Sequence, residues 1–184
     1  MWKRLSKKLE RRVKPGFEPV VCEDADIDLY ESEFGFSLPK AYKTFILELG
    51  QGTFNRFFCI YAPLRAFNGH ELFSGTREVR AAQVLSEIYG SDVNVGNLVP
   101  FAGSIIGDIF AWDVSVPHSA AQEPPVLVLP REDKKVQTIS STFKEFVDEV
   151  CFGRQYEKIV IQEEDPDWEI NFEFAPTVRP QSHA

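Results

Sequence analysis

Residues 98–114 read LVPFAGSIIGDIFAWDV, an apolar stretch interrupted by small residues and two aspartates. This pattern predicts two β-strands, at residues 98–101 and 105–114, joined around Ala102-Gly103-Ser104. A connection this short cannot hold the helical crossover that parallel strands need, so the two strands are predicted to be antiparallel. The stretch therefore indicates a β-hairpin within an antiparallel sheet.

The chain on both sides of this hairpin alternates between apolar and turn-forming segments. Further strands are predicted at residues 54–61, 126–129 and 136–139. Helical spacing predicts four helices, with inner faces at Ile27, Tyr30 and Phe34; at Tyr42, Phe45, Ile46 and Leu49; at Ala81, Val84, Leu85 and Ile88; and at Phe143, Phe146, Val147 and Val150. The predicted fold class is α+β: a single domain with a twisted, mainly antiparallel sheet flanked by about four helices.

Charge divides the chain into three predicted parts. Residues 1–16 are predicted to form a basic amphipathic helix, residues 17–153 the α+β domain, and residues 154–184 an acidic extension. Residues 1–14 contain seven Lys and Arg residues and one Glu, a charge of +6, which leaves −8 − 6 = −14 for the rest. A body this acidic repels phosphate backbones, so the main domain is not expected to bind nucleic acid directly.

The N-terminal helix is amphipathic. Trp2, Leu5, Leu9 and Val13 recur at roughly helical spacing and leave the basic residues on the other faces. Such a helix can lie on an anionic membrane, or it can be a terminal helix whose charges are solvated or rest against the acidic body. One narrow apolar stripe is weak support for membrane contact, so we favour the second interpretation.

Three cysteines, Cys22, Cys59 and Cys151, are widely separated and form no CxxC pair. An odd number of scattered cysteines offers no disulfide framework and indicates a reducing, cytoplasmic setting. All three are predicted to be buried structural thiols.

Asp108 and Asp113, with His118 beyond them, are the candidates for a hydrolase site. In one regular strand, residues an odd number apart point to opposite faces, so the two carboxylates cannot act as a pair without a bulge. Asp108 after Gly107 also suits a tight bend, where aspartate accepts hydrogen bonds from nearby N–H groups. No metal-ligand spacing, phosphate-binding loop or nucleophile elbow is present, so we predict no catalytic, cofactor or metal-binding residues.

An acidic run with an embedded tryptophan lies in the C-terminal part, at Glu163, Glu164, Asp165 and Trp168. Such a run is usually a solvated loop and sometimes a recognition patch for a basic partner. The tryptophan favours recognition, because aromatic side chains anchor interfaces, although it can equally pack the extension onto the domain. These four residues and Asp113 are the candidate partner-binding residues.

Three segments resemble motifs of the SUKH superfamily, which includes the SMI/KNR-type cell-wall regulators of fungi. The first is FGFSLPKAYKTF at 34–45; the second combines Val99-Pro100-Phe101-Ala102 with the Gly107-to-Asp113 stretch; the third combines Pro125-Val126 with Thr142-Phe143-Lys144-Glu145-Phe146. They occur in the expected order over about residues 24–153. Leu49-Gly50-Gln51-Gly52 departs modestly from the Asn-Gly or Gly-Gly pair that members often have there.

The resemblance implies a non-enzymatic, protein-binding α+β domain. Bacterial members are frequently immunity proteins that neutralise a toxin, which suggests a cytoplasmic domain whose acidic surface binds a toxin with a basic surface. The alternative is an intracellular regulatory or scaffold protein of SMI/KNR type. A hydrolase using Asp108, Asp113 or His118 is the least favoured hypothesis. The oligomeric state stays open.

Overall fold

A computed structural model describes residues 2–10, 13–64, 72, 76, 89, 94–115, 123–131, 135–153, 155 and 173–181. Seven strands form one antiparallel sheet in the spatial order β7-β6-β5-β4-β3-β2-β8, and two more, β1 and β9, form a separate antiparallel ribbon. The strands are β1 Phe17–Pro19, β2 Gly52–Phe54, β3 Phe58–Ile60, β4 Leu98–Ser104, β5 Ile109–Asp113, β6 Val126–Leu129, β7 Gln137–Ser140, β8 Phe174–Pro176 and β9 Val178–Pro180. With the helices below, this confirms the predicted α+β class.

The helices whose bounds lie in the described part of the chain are α1 Lys3–Glu10, α2 Asp24–Phe34, α3 Lys40–Glu48, a 3-10 helix at Val95–Asn97, and α4 Phe143–Glu145, which continues as a π-helix over Phe146–Cys151. The boundaries of α2 and the start of α3 have local causes. Glu23 and Asp26 form a reciprocal capping box at α2, and Gly35 ends that helix with φ 65°, a conformation that costs glycine little. Pro39 immediately precedes α3, where its missing N–H would have no helical partner. None of the described helices is long and apolar enough to cross a bilayer.

The sheet buries both of its faces. In β5, Phe110 and Trp112 point toward the helices, and Ala111 points to the opposite face, as alternation along a strand requires. On the helix side, Phe143 lies between the rings of Tyr42 (centroids 5.1 Å apart) and Phe101 (5.6 Å). The main core is therefore a continuous aromatic cluster between the helices and the sheet.

One carboxylate connects two helices. Glu123, just before β6, accepts hydrogen bonds from the N–H groups of Ala41 (3.4 Å) and Phe143 (2.9 Å). These N–H groups lie in the first turns of α3 and α4, where helices have unpaired donors and a partial positive charge. Thr142 caps α4, its Oγ1 accepting from the Glu145 N–H, and the Glu145 carboxylate accepts from the Ser141 N–H.

The segment 54–61, predicted as one strand, is a hairpin. Phe54 and Phe58 pair across a turn in which Asn55 (φ 53°) and Arg56 (φ 58°) are left-handed. Asparagine is common in the left-handed conformation and can indicate a turn, but arginine is not, so Arg56 did not indicate one. Asn55 is buried and its backbone N–H donates to the Glu173 carbonyl (2.8 Å), so a contact distant in sequence holds the turn.

The observed boundaries of the central hairpin also differ from the predicted ones. β4 runs on to Ser104, and the turn occupies residues 105–108 instead of 102–104. Gly107 has φ 99°, and the Asp108 backbone N–H donates to Ser104 Oγ (2.9 Å), which moves the turn toward the C-terminus. The predicted third helix lies outside the described residues, apart from Thr76 and Tyr89, which are helical.

Residues near both termini, Trp2 and Phe174, pack against the main core. Trp2 is buried, with its ring 5.3 Å from that of Phe45, and its Nε1–H donates to the Ala41 carbonyl (3.2 Å). At the other end, Phe174 of β8 lies 5.2 Å from Phe45 between ring centroids, and β8 forms an edge of the main sheet. The division at residues 16 and 153 remains a prediction, but described residues beyond both positions contribute to the common core.

The cysteines differ in burial. Cys22 and Cys151 are buried as predicted, whereas Cys59 is only half-buried because its side chain sits on the outer face of β3, near Thr53 Oγ1 (3.9 Å). Burial, with the nearby Asp26 charge, raises the pKa of Cys22 to about 12, and burial raises that of Cys151 well above its ordinary value.

This difference predicts selective alkylation. At pH 8, iodoacetamide is expected to modify Cys59 and leave Cys22 and Cys151 unmodified, because the reactive thiolate is scarce below a raised pKa. Peptide mass spectrometry measures the modification. The control is the protein unfolded in about 8 M urea, in which all three cysteines should react. Rapid labelling of Cys22 in the folded protein would show that its thiol is not buried as described.

Candidate interaction surfaces

Asp108 is buried in the turn between β4 and β5. Its Oδ2 accepts a hydrogen bond from Ser104 Oγ (3.0 Å), and its Oδ1 accepts from the Arg131 backbone N–H (3.0 Å). The Arg131 side chain crosses Gly107 and its guanidinium donates to the Ile106 carbonyl (3.4 Å). The carboxylate therefore ties this turn to the end of β6.

Asp113 is at the far end of β5. Its Oδ1 accepts from the Ser115 N–H (2.9 Å), which closes a small turn at the strand end. β5 pairs regularly from Ile109 to Asp113, and the irregularity in its ladder with β4 lies on the β4 side. At about 3.3 Å per residue, Asp108 and Asp113 are roughly 16 Å apart. The structure does not bring them together, and His118 lies outside the described residues.

The two aspartates predict different stability effects. Asp108→Ala is expected to lower the free energy of unfolding by about 2 kcal/mol, because it removes a buried carboxylate that accepts from both the Arg131 N–H and Ser104 Oγ. Asp113→Ala, at a half-exposed turn, should cost less than about 0.5 kcal/mol. Urea denaturation followed by circular dichroism measures both, and equal losses would contradict the assigned roles.

The acidic run predicted to bind a partner, Glu163, Glu164 and Asp165 with Trp168, lies outside the described residues. A second acidic surface, which the prediction did not single out, is present on α2. Glu23, Asp24 and Asp28 are exposed, and α2 contains no Lys or Arg. The signal was visible in the sequence EDADIDLYESEF, in which six of twelve residues are Asp or Glu and none is Lys or Arg. Among the described residues, no three His, Cys, Asp or Glu side chains converge as a metal site requires.

The β1–β9 ribbon has one apolar face exposed to solvent. Phe17 pairs with Pro180 and Pro19 with Val178, so these four side chains share a face, and Val21 continues the alternation. We call these five residues the ribbon face. Phe17, Val21 and Val178 are 39–40 % exposed, and together they are three of the four exposed large hydrophobic side chains in the described part of the chain.

The buried Val20 attaches the ribbon to the main core. Within the ribbon, the Val20 N–H donates to the Thr177 carbonyl (2.8 Å), and Glu18 and Arg179 form a partly exposed ion pair across the two strands (2.7 Å). This surface was not predictable from local sequence, because β1 and β9 come from distant parts of the chain. The alternation in FEPVV (17–21) and TVRP (177–180) was the available signal.

The fourth exposed apolar side chain lies elsewhere. Ile105, 55 % exposed, is at the β4–β5 turn, and its N–H donates to the Phe57 carbonyl (3.0 Å) in the β2–β3 turn. A single exposed isoleucine is common on protein surfaces and does not by itself mark an interface.

Comparison with known protein families gives one match. The family described as SUKH_6: SMI1-KNR4 cell-wall matches residues 24–147, more than half of the 184-residue chain. The matched region runs from the start of α2 through the hairpins of the sheet into the helix after β7. No curated protein matches the chain.

Proposed function

Because the chain belongs to the SUKH_6 family of SMI1-KNR4 cell-wall proteins, we propose that it is a cytoplasmic immunity protein, a protein-binding domain that neutralises a bacterial toxin. Family membership is the observation that carries this proposal, since proteins of the family are generally non-catalytic. Fold alone does not fix function, so the surface must supply the rest of the argument.

The charge distribution supports a partner with a basic surface. Residues outside the basic N-terminal segment carry a net charge of −14, and α2 presents exposed carboxylates on a helix fixed to the core through Ile27 and Tyr30. Toxins that act on nucleic acid need basic clefts, and an acidic inhibitor gains association rate and specificity toward them. The acidic run, Asp113 and the α2 carboxylates are the proposed contacts.

The test is co-expression of this chain with the product of the neighbouring upstream gene. Under the proposal, that product inhibits growth, this chain restores growth, and the two proteins purify as a complex. Three variants then locate the contact: Asp24→Lys with Asp28→Lys, Asp113→Lys, and Glu163→Lys with Glu164→Lys and Asp165→Lys. Circular dichroism of each variant controls for unfolding. Absence of both toxicity and complex formation argues against immunity.

A second candidate, a regulatory or scaffold protein, is favoured by the family description itself, which names cell-wall proteins of SMI1-KNR4 type. A gene standing alone, without a toxin-like neighbour, would support this function. Replacement of Asp108, Asp113 and His118 by alanine tests the hydrolase hypothesis, and full biological activity of the folded triple variant would eliminate it.

A further inference from the structure

The ribbon face has the properties of a contact surface for a protein. Its three largest side chains, Phe17, Val21 and Val178, are each about two-fifths exposed, so the ribbon presents several partly exposed apolar groups together. Insertion into a membrane needs apolar side chains that protrude, and near the N-terminus Trp2 and Leu5 pack against the core instead. A cluster of partly exposed apolar side chains fits the apolar side chains of another protein.

The edges of the ribbon exclude binding by addition of a strand. Pro19 in β1 and Pro180 in β9 have no backbone N–H to donate, and β8, at the neighbouring edge of the main sheet, contains Pro176. Proline on an edge strand prevents further strands from pairing there. An occupant of the ribbon face must therefore bind through its side chains.

The chain on the α1 side of the ribbon is basic, whereas Glu23 and Asp24, which follow Val21, are exposed carboxylates. α1 precedes β1 in the chain and packs against β8, which leads directly into β9. The exposed side chains of this segment include Lys3, Arg4 and Lys7, and Lys14 is exposed at the turn whose carbonyl accepts the Phe17 N–H (3.1 Å). An occupant that combines apolar groups with carboxylates is complementary to the ribbon face and to the basic side chains on its α1 side.

One segment of this same chain has that composition. Residues 163–172 read EEDPDWEINF, with five carboxylates and three apolar anchors at Trp168, Ile170 and Phe172. We propose that the ribbon face binds residues 163–172 of a second copy of this chain. Each copy has a net charge of −8, so the attraction is local, between residues 1–14 of one copy (charge +6) and the five carboxylates of residues 163–172 of the other.

Two copies can exchange these segments reciprocally. Each copy then supplies one ribbon face and one acidic segment, so both contacts form around a twofold axis and the assembly closes as a dimer. This inference goes beyond toxin neutralisation and needs no toxin. It does give the acidic segment a second role, because a basic partner that binds residues 163–165 would compete with dimer formation.

Sedimentation velocity of the full chain, from micromolar concentrations to about 1 mM, tests the proposal at low and high salt. We expect a monomer–dimer equilibrium that salt weakens. Phe17→Asp with Val178→Asp should lower the association constant at least about tenfold, and Ile105→Asp, at the exposed apolar residue outside the ribbon, should leave it unchanged. A fluorescein-labelled peptide of residues 162–172 should bind the wild-type chain and lose binding to the ribbon variant.

Charge exchange makes the test specific. Lys3→Glu with Arg4→Glu and Lys7→Glu, and separately Glu163→Lys with Glu164→Lys and Asp165→Lys, should each weaken association, and combining both sets should restore it to within about threefold. A monomer at every concentration overturns the proposal, as does a dimer indifferent to the ribbon substitutions. Binding of the monomer to phosphatidylserine-containing vesicles, lost in the ribbon variant, would overturn it in favour of a membrane surface.

Discussion

Replacing Phe143 by alanine is expected to lower the free energy of unfolding by about 4 kcal/mol, a large part of the stability of an ordinary domain. The ring is fully buried at the start of α4, and truncation would leave a cavity among rings that belong to four different parts of the chain. Its neighbours, by distance between ring centroids, are Tyr42 at 5.1 Å, Phe45 at 5.5 Å, Phe101 at 5.6 Å, Trp2 at 6.1 Å and Trp112 at 6.4 Å.

Urea denaturation followed by far-ultraviolet circular dichroism measures this loss. Phe17→Ala is the matched control, since the same side chain is removed from a position that is 39 % exposed, and it should cost less than about 1 kcal/mol. Phe143→Leu, which retains most of the apolar volume, should recover more than half of the stability. Similar losses for Phe143→Ala and Phe17→Ala would show that the aromatic cluster is not the main core.

Asn55→Ala is expected to cost about 3 kcal/mol, although it removes only a small polar side chain. The Asn55 side-chain amide donates to the Cys151 carbonyl at the end of the π-helix, and its oxygen accepts from the Glu173 N–H (2.9 Å) just before β8. Truncation leaves both of these partly buried groups without a partner, at about 1 to 3 kcal/mol each. Alanine at φ 53° adds about 1 kcal/mol of backbone strain.

Arg56→Gly separates these two causes. Arg56 has the same left-handed backbone (φ 58°) but an exposed side chain, so glycine relieves strain there and should leave stability unchanged or slightly higher. Asn55→Gly, which keeps the backbone freedom and loses the amide, should remain about 2 kcal/mol less stable than wild type. A neutral Asn55→Gly would mean that only backbone conformation matters at this position.

Structure could be predicted from the sequence where it depends on residues close together in the chain. α3 was predictable because Tyr42, Phe45, Ile46 and Leu49 repeat at helical spacing between a proline and a glycine. The turn at Asn55 and Arg56 was not, because the bonds that hold it come from Glu173 and Cys151, far along the chain. Because residues 54–61 are rich in aromatic and other strand-forming residues, one continuous strand was predicted there and no turn.

The same distinction applies to the candidate surfaces. The bend at Asp108 was predictable from Gly107 and the local hydrogen-bonding habits of aspartate, and the bond to Ser104 is of that kind. The bond from Arg131, which fixes the turn against β6, has no local signal. The ribbon face needs pairing between β1 and β9, so its five apolar residues appear in the sequence as two unrelated fragments.

The position of β8 has a consequence for synthesis. Phe174 is translated after the whole segment that forms α2, α3 and strands β1 to β7, yet it packs against Phe45 and Phe54. When residue 153 has left the ribosome but β8 has not, Phe45 and Phe54 therefore lack their contact with Phe174. β2 lacks its pairing with β8 at the same stage. Contacts this distant in sequence form slowly, and chaperones recognise such incomplete apolar surfaces. We therefore expect final consolidation of the sheet to follow translation of β8 and not to begin with the first helices.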